Sequence, residues 1–325
     1  MTYWIDVLNS AWDELAQIVP IARQYRSRSI SADTVLEIRA GMRALDNAPC
    51  LMLQTIPPPD ALFELGGMRL SSVPDSSGSL LVLSLEDAGR RDLFATICAD
   101  VVAVASQPDQ NIALAQFLAR LEAWRQFLRD RTDGLSRIET IGLIGELLVL
   151  ERLLEVDSAC LDSWQAPLDG LHDFLRDGHA LEVKTGLGPV SVIIVSKLDQ
   201  LDTAGLRRLD LLHVKLIESI TGRSLRDIIA ALDAALPDEA RRRSFENLLL
   251  RRGLLPGDDG ALSTPRVQLR TIDAYAVLDR FPRLVRSGLP LAITEATYTL
   301  EVRGISTFVE DTTATLDAFC RGDTL

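Results

Sequence analysis

Asp177-Gly178, set between two apolar-rich runs, constrains what this chain can fold into more tightly than any other feature. Such a pair is the strongest short-range signal for a two-residue type I′ hairpin turn, because both central residues must take positive φ. A two-residue turn fixes register. Arg176 then pairs with His179, and the continued ladder sets Asp173 directly opposite Glu182. Side chains alternate along a strand, so Asp173, Glu182 and Lys184 share one face with Leu171, Leu175 and Ala180. His172, Phe174, Leu181 and Val183 point the other way.

Two carboxylates opposed on a largely apolar face repel and destabilise the pair. A cation between them reverses that cost, and hard oxygen ligands at this spacing suit Mg²⁺ or Mn²⁺. Lys184 would stand beside such an ion, where its charge can stabilise a pentavalent phosphate or help position an attacking water. Glu146 adds a fourth group. Its helical neighbours Gly142, Leu143, Val149 and Leu150 place it on the face that packs against the sheet. A buried carboxylate needs a partner or a cation, so Glu146 is expected to reach the same metal, directly or through water, and Gly142 and Gly145 to let the helix approach closely.

The basic residues sharpen this reading. The chain holds 34 Lys plus Arg, yet Lys occurs only at 184, 197 and 215, all inside one segment. Where Arg supplies ordinary surface charge, a retained Lys suggests a need for a compact point charge.

The rest of the pattern places this segment. A helix is expected over 4–19, short strands over 34–40, 51–56, 67–73 and 80–85, and helices over 89–106 and 109–131. Pro57-Pro58-Pro59, the stretch 75–79 and Thr132-Asp133-Gly134 read as loops. This divides the chain into a β-rich N-terminal module (1–108), a connecting helix (109–134), a core (135–218) and a C-terminal α+β extension (219–325). The core reads α-β-β-β-α-β: a helix over 139–155, strands over 171–176, 179–185 and 190–195, a Ser196-capped helix over 197–208, and a strand over 211–217. Helices over 222–235 and 237–251, a loop at 256–260, strands over 266–278 and 292–303 and a helix over 312–320 follow. The class is α/β at the core and α+β overall.

Asp173 followed by Glu182-Val183-Lys184 resembles the PD-(D/E)XK phosphodiesterase superfamily, which includes restriction endonucleases and Holliday junction resolvases. Gly145-Glu146-Leu147, Trp164, His172-Asp173-Phe174, Glu182-Val183-Lys184-Thr185 and Ser196 with Gln200-Leu201 are similar to a bacterial branch of it. Members of that branch tend to be encoded near restriction–modification or other phage-defence genes. The likeness is strongest over 139–218 and continues more weakly to Phe281-Pro282-Arg283-Leu284 and Tyr298. His172 stands where the motif's name has Pro, a position that varies widely. The resemblance implies a restriction-endonuclease-like core with Asp173 and Glu182 as ligands of Mg²⁺ or Mn²⁺, and with Glu146 at the same metal as the helix carboxylate that orients metal-bound water. Lys184 would be the catalytic lysine, and Gln200 a polar residue beside the site. It implies a Mg²⁺-dependent deoxyribonuclease, an endonuclease rather than an exonuclease, with DNA and defence-system proteins as partners and a homodimer left open. A catalytically silent scaffold subunit and an RNA-directed phosphodiesterase are the alternatives.

Composition limits the field further. A net charge of −12 argues against a DNA-coating protein and mildly favours the scaffold. No apolar run of membrane-spanning length and no signal-like N-terminus appear, so a cytoplasmic protein without membrane contact is expected. Cys50, Cys98, Cys160 and Cys320 form no CxxC pair and read as buried reduced thiols. His172, His179 and His213 are too dispersed for a zinc site. The clusters Arg241-Arg242-Arg243 with Arg251-Arg252, and Arg23, Arg26 and Arg28, read as solvated, partly self-paired surface. Trp164 reads as core. Neither an ATP-binding loop nor a dinucleotide fingerprint is present, so ATP hydrolysis is not expected.

Overall fold

The computed structural model describes residues 2–19, 25–30, 35–55, 62–75, 78–105, 109–130, 135–189, 191–256 and 261–322. The Pro57-Pro58-Pro59 and Thr132-Asp133-Gly134 breaks, Arg23 and most of the 256–260 loop lie outside these residues. The chain divides into two compact units, Met1–Thr132 and Asp133–Leu325.

The first unit contains α1 (Thr2–Ala16), β1 (Tyr25–Ser29), β2 (Ile38–Arg43), β3 (Pro49–Thr55), β4 (Phe63–Leu65), β5 (Met68–Asp75), β6 (Gly78–Leu85), α2 (Arg91–Val104) and α3 (Gln110–Asp130). Its six strands form one antiparallel sheet in the order β1-β2-β3-β6-β5-β4. The expected strands and helices are present, with the strand expected over 34–40 lying at Ile38–Arg43, and two further short strands, the polar β1 and the three-residue β4, were not expected. The helix taken as a connector, α3, belongs to this unit and packs against α2. Its Arg120 donates to buried Asp100 on α2 at 2.6 and 3.2 Å, and Trp124 Nε1 donates to the same carboxylate at 2.7 Å.

The second unit runs α4 (Arg137–Val156), β7 (Phe174–Arg176), β8 (His179–Leu187), β9 (Val192–Val195), β10 (Arg208–Arg223), α5 (Leu225–Ala235), α6 (Glu239–Arg251), β11 (Val267–Ala276), β12 (Tyr298–Glu301), β13 (Val309–Glu310) and α7 (Thr312–Arg321). A mixed five-stranded sheet has the order β13-β11-β10-β8-β7. β8 and β10 are parallel, and β7–β8 and β10–β11 antiparallel. The chain is therefore mixed α and β, with one core cluster on each face of this sheet. Leu212, Val214 and Leu216 of β10 join Leu181, Val183 and the buried side of α4, while Leu209 and Leu211 join Ala180, Ile193 and Tyr275.

The expected α-β-β-β-α-β run departs from this structure at two places. The third strand, β9, leaves the core sheet and pairs with β12 from the last third of the chain. Gly188, at φ +84, followed by Pro189, turns the chain away there. The helix expected over 197–208 is only a short 3₁₀ turn, Leu198–Leu201. Gly205 sits at φ +79, and Arg208 and Leu209 are drawn into the parallel ladder opposite His179 and Ala180, so strand pairing overrides local helix propensity. β10 likewise extends to Arg223, past the expected end at 217, and delays α5 to the Ser224 capping box. The stretch 219–325 is not a separate layer: it supplies β11 and β13 to the core sheet.

Asp100→Ala should leave Arg120 buried without its counter-charge and cost about 3–5 kcal/mol. Urea unfolding of the full chain would show this in the transition of the first unit. A double change, Asp100→Leu with Arg120→Met, should recover most of the loss.

Candidate active site

The turn is as the sequence requires: Asp177 has φ 49 and Gly178 φ 79. Phe174, Leu175 and Arg176 pair with Leu181, Ala180 and His179. The regular ladder stops at Phe174. One position before it, Asp173 gives its carbonyl to the amides of Gln165 and Ala166, and its Oδ2 accepts the amide of Val183 at 2.7 Å. A side-chain oxygen thus completes the pairing that the backbone leaves, and it anchors the carboxylate beside Glu182.

Glu182 is 1% exposed on the central part of β8. Its Oε1 accepts from Lys184 Nζ at 2.6 Å, while Oε2 is buried with no hydrogen-bond partner among the described residues. Lys184 also donates to Gln200 Oε1 at 3.0 Å. That same oxygen accepts from the Ser196 amide, the Ser196 hydroxyl and the Lys197 amide, each at 3.2 Å. Gln200 therefore fixes both the post-β9 turn and the lysine. Sequence placed it beside the site on a helix; the structure puts it there on a 3₁₀ turn.

Burial, with the neighbouring charges of Glu182 and Glu146, holds the Asp173 carboxyl well above its usual range. Burial also pushes Glu182 up to about 7, against the opposing pull of Lys184. Both shifts report carboxylates enclosed together with too little positive charge. Their stabilising complement is a cation.

Glu146 arrives on α4, whose backbone lies against β8. A Cβ at Gly145 would fall 1.8 Å from Thr185 Oγ1, so only glycine permits this approach; at Gly142 nothing lies within 4 Å, and the expected closeness there is absent. The Glu146 carboxylate is buried, but Trp164 Nε1 donates to it at 3.1 Å and Arg252 Nε at 3.3 Å. Its charge reaches Asp173 and Glu182, yet its oxygens are engaged elsewhere. The expected three-carboxylate ligand set is therefore not assembled. Among the described residues no group of three His, Cys, Asp or Glu side chains is placed to hold a metal. Asp173 with Glu182, including its unpartnered oxygen, still fits one Mg²⁺ or Mn²⁺, since Mg²⁺ commonly takes one or two carboxylates and keeps several waters.

Arg252 is the residue that sequence reasoning missed. The arginine cluster was read as solvated, and Arg241, Arg242 and Arg243 do pair with Asp162 and Glu239. Arg252 instead follows the buried Phe245 and Leu249 at helical spacing and is carried to Glu146. That spacing was the available signal. His172, assigned to the opposite face, is buried, and lies beside the Gln200 backbone and within the field of Lys184; burial lowers its pKa. Trp164 is fully buried, as its core reading required. All four cysteines are free and buried.

A helix, a hairpin bearing Asp173 and Glu182-Val183-Lys184, and a parallel strand beyond it make up a nuclease-like fold of the PD-(D/E)XK kind. A family model described as "Putative PD-(D/E)XK family member" (DUF4420) matches residues 8–303, and the chain belongs to that family. No curated protein and no solved structure matches it. Among the described residues, no helix is long and apolar enough to cross a membrane.

Gly145→Ala should force α4 from β8 and cost about 1–3 kcal/mol by overpacking. Chemical denaturation would measure this, and in a Thr185→Ala background the loss should shrink. A second test uses pH. The folded-state pKa of Glu182 lies above its ordinary 4.5, so the fold favours the protonated form. Stability is then lost as pH rises from about 4.5 through about 7, by about 3 kcal/mol in all. Glu182→Gln carries no such loss. Its urea stability relative to wild type should rise by about that amount between pH 4 and pH 8; a constant difference would refute the shift.

Proposed function

We propose that this protein is a divalent-metal-dependent nuclease that hydrolyses phosphodiester bonds of DNA, cutting internally. The observation that carries the reading is the enclosed pair Asp173 and Glu182, with the Glu182 Oε2 unpartnered among the described residues and Lys184 on the same face. Such an arrangement is costly as a structural feature and useful as a cation site.

Asp173 and Glu182 would hold Mg²⁺ or Mn²⁺, which supplies Lewis-acid activation of the phosphate and of the attacking water. Lys184 sets its ammonium, oriented by Gln200, beside the phosphate as negative charge develops on the non-bridging oxygens. Glu182, once ionised, keeps that ammonium from drifting away from the reacting phosphate. Glu146, held by Trp164 and Arg252, acts at a distance, its charge raising the proton affinity of the other two carboxylates. Metal binding must displace the proton that burial favours on Glu182, so the metal concentration giving half-maximal activity should fall as pH rises from 6 to 8.

DNA as substrate, a place in phage defence or restriction, and partners from such a system are supported by the resemblance of the 139–218 segment to a bacterial branch encoded near those genes. The net charge of −12 supports local rather than global attraction of nucleic acid.

Purified protein with plasmid, linear and single-stranded DNA and with RNA, in Mg²⁺, Mn²⁺ or EDTA, tests the proposal. Wild type should nick or linearise plasmid only with metal, and Lys184→Ala and Asp173→Ala should each lose at least about a hundredfold in rate. Cleavage surviving in both variants would discard the site. Cleavage of RNA alone would move the substrate, and no cleavage of any substrate would favour the silent scaffold.

A further inference from the structure

Three lysines stand in a chain that otherwise uses arginine, and two of them are accounted for. Lys184 is bound to Glu182 and Gln200, and Lys215 Nζ donates to Asp273 at 2.6 Å. Lys197 differs. Its side chain is exposed and forms no ion pair among the described residues. Its amide is tied to Gln200 Oε1, the same oxygen that receives Lys184 Nζ. Only that one acceptor separates it from the proposed catalytic lysine.

Beside Lys197 lies an open cavity of about 640 Å³, walled by Ser196, Lys197 and Asp199 on one side and by Arg286, Thr294 and Thr297 on the other. Its walls are pinned. The β9–β12 ladder pairs Val195 with Tyr298, and Thr297 Oγ1 donates to the Ser196 carbonyl at 3.2 Å. Arg286 donates to Asp199 Oδ2 at 2.9 Å and to the Thr294 carbonyl at 3.2 Å. Arg286 is thereby neutralised by Asp199. Glu295 also lines the cavity, and its field falls on Arg286. Lys197 is thus the one lining cation without a salt-bridge partner among the described residues, and its amide shares the Gln200 oxygen with Lys184. The rest of the lining is rich in hydroxyls and carbonyls. The volume falls within the range of about 300–1,000 Å³ usual for small-ligand sites, enough for a nucleotide unit.

We propose that this cavity is a substrate subsite, taking the nucleotide next to the scissile phosphate, with Lys197 contacting that nucleotide's phosphate. The inference rests on the nuclease reading above and adds where the strand runs once it leaves Lys184. An exposed, unpaired ammonium gains little from the protein and much from a phosphate, which releases condensed counterions as it binds. Sequence preference is not expected from such a contact, because a phosphate carries no base information. The charge of Lys197 is also felt at Glu182, as its position beside the reacting centre requires.

Kinetics and binding of Lys197→Ala, Lys197→Arg and Lys184→Ala, on whichever nucleic acid wild type cleaves, decide the matter. Binding is read separately by fluorescence anisotropy of a labelled oligonucleotide, with Ca²⁺ replacing Mg²⁺ to suppress cleavage. Lys197→Ala should raise KM and the oligonucleotide Kd by about fivefold or more, and lower the slope of log Kd against log salt by about one. Lys197→Arg should restore most of both, whereas Lys184→Ala should lose kcat. Unchanged KM, Kd and salt slope in Lys197→Ala, with wild type active, would overturn the subsite and leave the nuclease reading standing. A fall in kcat alone would overturn it too, by placing Lys197 in the chemical step. Wild type that neither binds nor cleaves any nucleic acid would overturn both.

Discussion

The amide of Val183 bonded to Asp173 Oδ2 at 2.7 Å is the contact on which the site is built. Strand β7 is only three residues long, and its ladder ends before Asp173. Without a partner, the buried Val183 amide would be left unsatisfied, at a cost of about 1–3 kcal/mol. The carboxylate supplies that partner, and in doing so it is held beside Glu182. Backbone satisfaction and the geometry of the acidic pair are thus one interaction. The tight turn at Asp177-Gly178 makes it reproducible, because a one-residue slip in register would move Glu182 and Lys184 to the α4 face.

Around that contact, Glu146 and Lys184 each have two partners, and Glu182 is only half matched. Glu146 is closed off by Trp164 and Arg252, and Lys184 by Glu182 and Gln200. Glu182 keeps one buried oxygen with no partner among the described residues. The closed pairs give rigidity; the open oxygen gives affinity for a cation. Had Arg252 faced Asp173 and Glu182 directly, its guanidinium would have filled the place that a metal can take. Its engagement with Glu146, one step back, leaves that place available.

The last third of the chain is structural to the site rather than appended to it. Strand β11 flanks β10, β12 holds β9 in position, and α6 delivers Arg252. The matched family model includes these elements, reaching residue 303.

Sequence by itself determined what depends on neighbours within a few residues. The Asp177-Gly178 turn, the register of β7 with β8, the shared face of Glu182 and Lys184, and the inward side of α4 all follow from local dihedral preferences and side-chain periodicity. Asp173, Glu182 and Lys184 were legible for that reason, whereas Gln200 was indicated only by the family resemblance. What only the tertiary structure decided depends on partners far along the chain. Arg252 lies 106 residues from Glu146, and in sequence it looks like its solvated neighbours. The stretch after Ser196 has helical propensity, but β10 takes its end into a parallel ladder with β8. Strand β9 is apolar like its neighbours, yet it pairs with β12, about a hundred residues away, as the Thr297–Ser196 contact also shows. Local preferences amount to a few tenths to about one kcal/mol per residue, and burial with strand pairing outweighs them wherever distant segments meet.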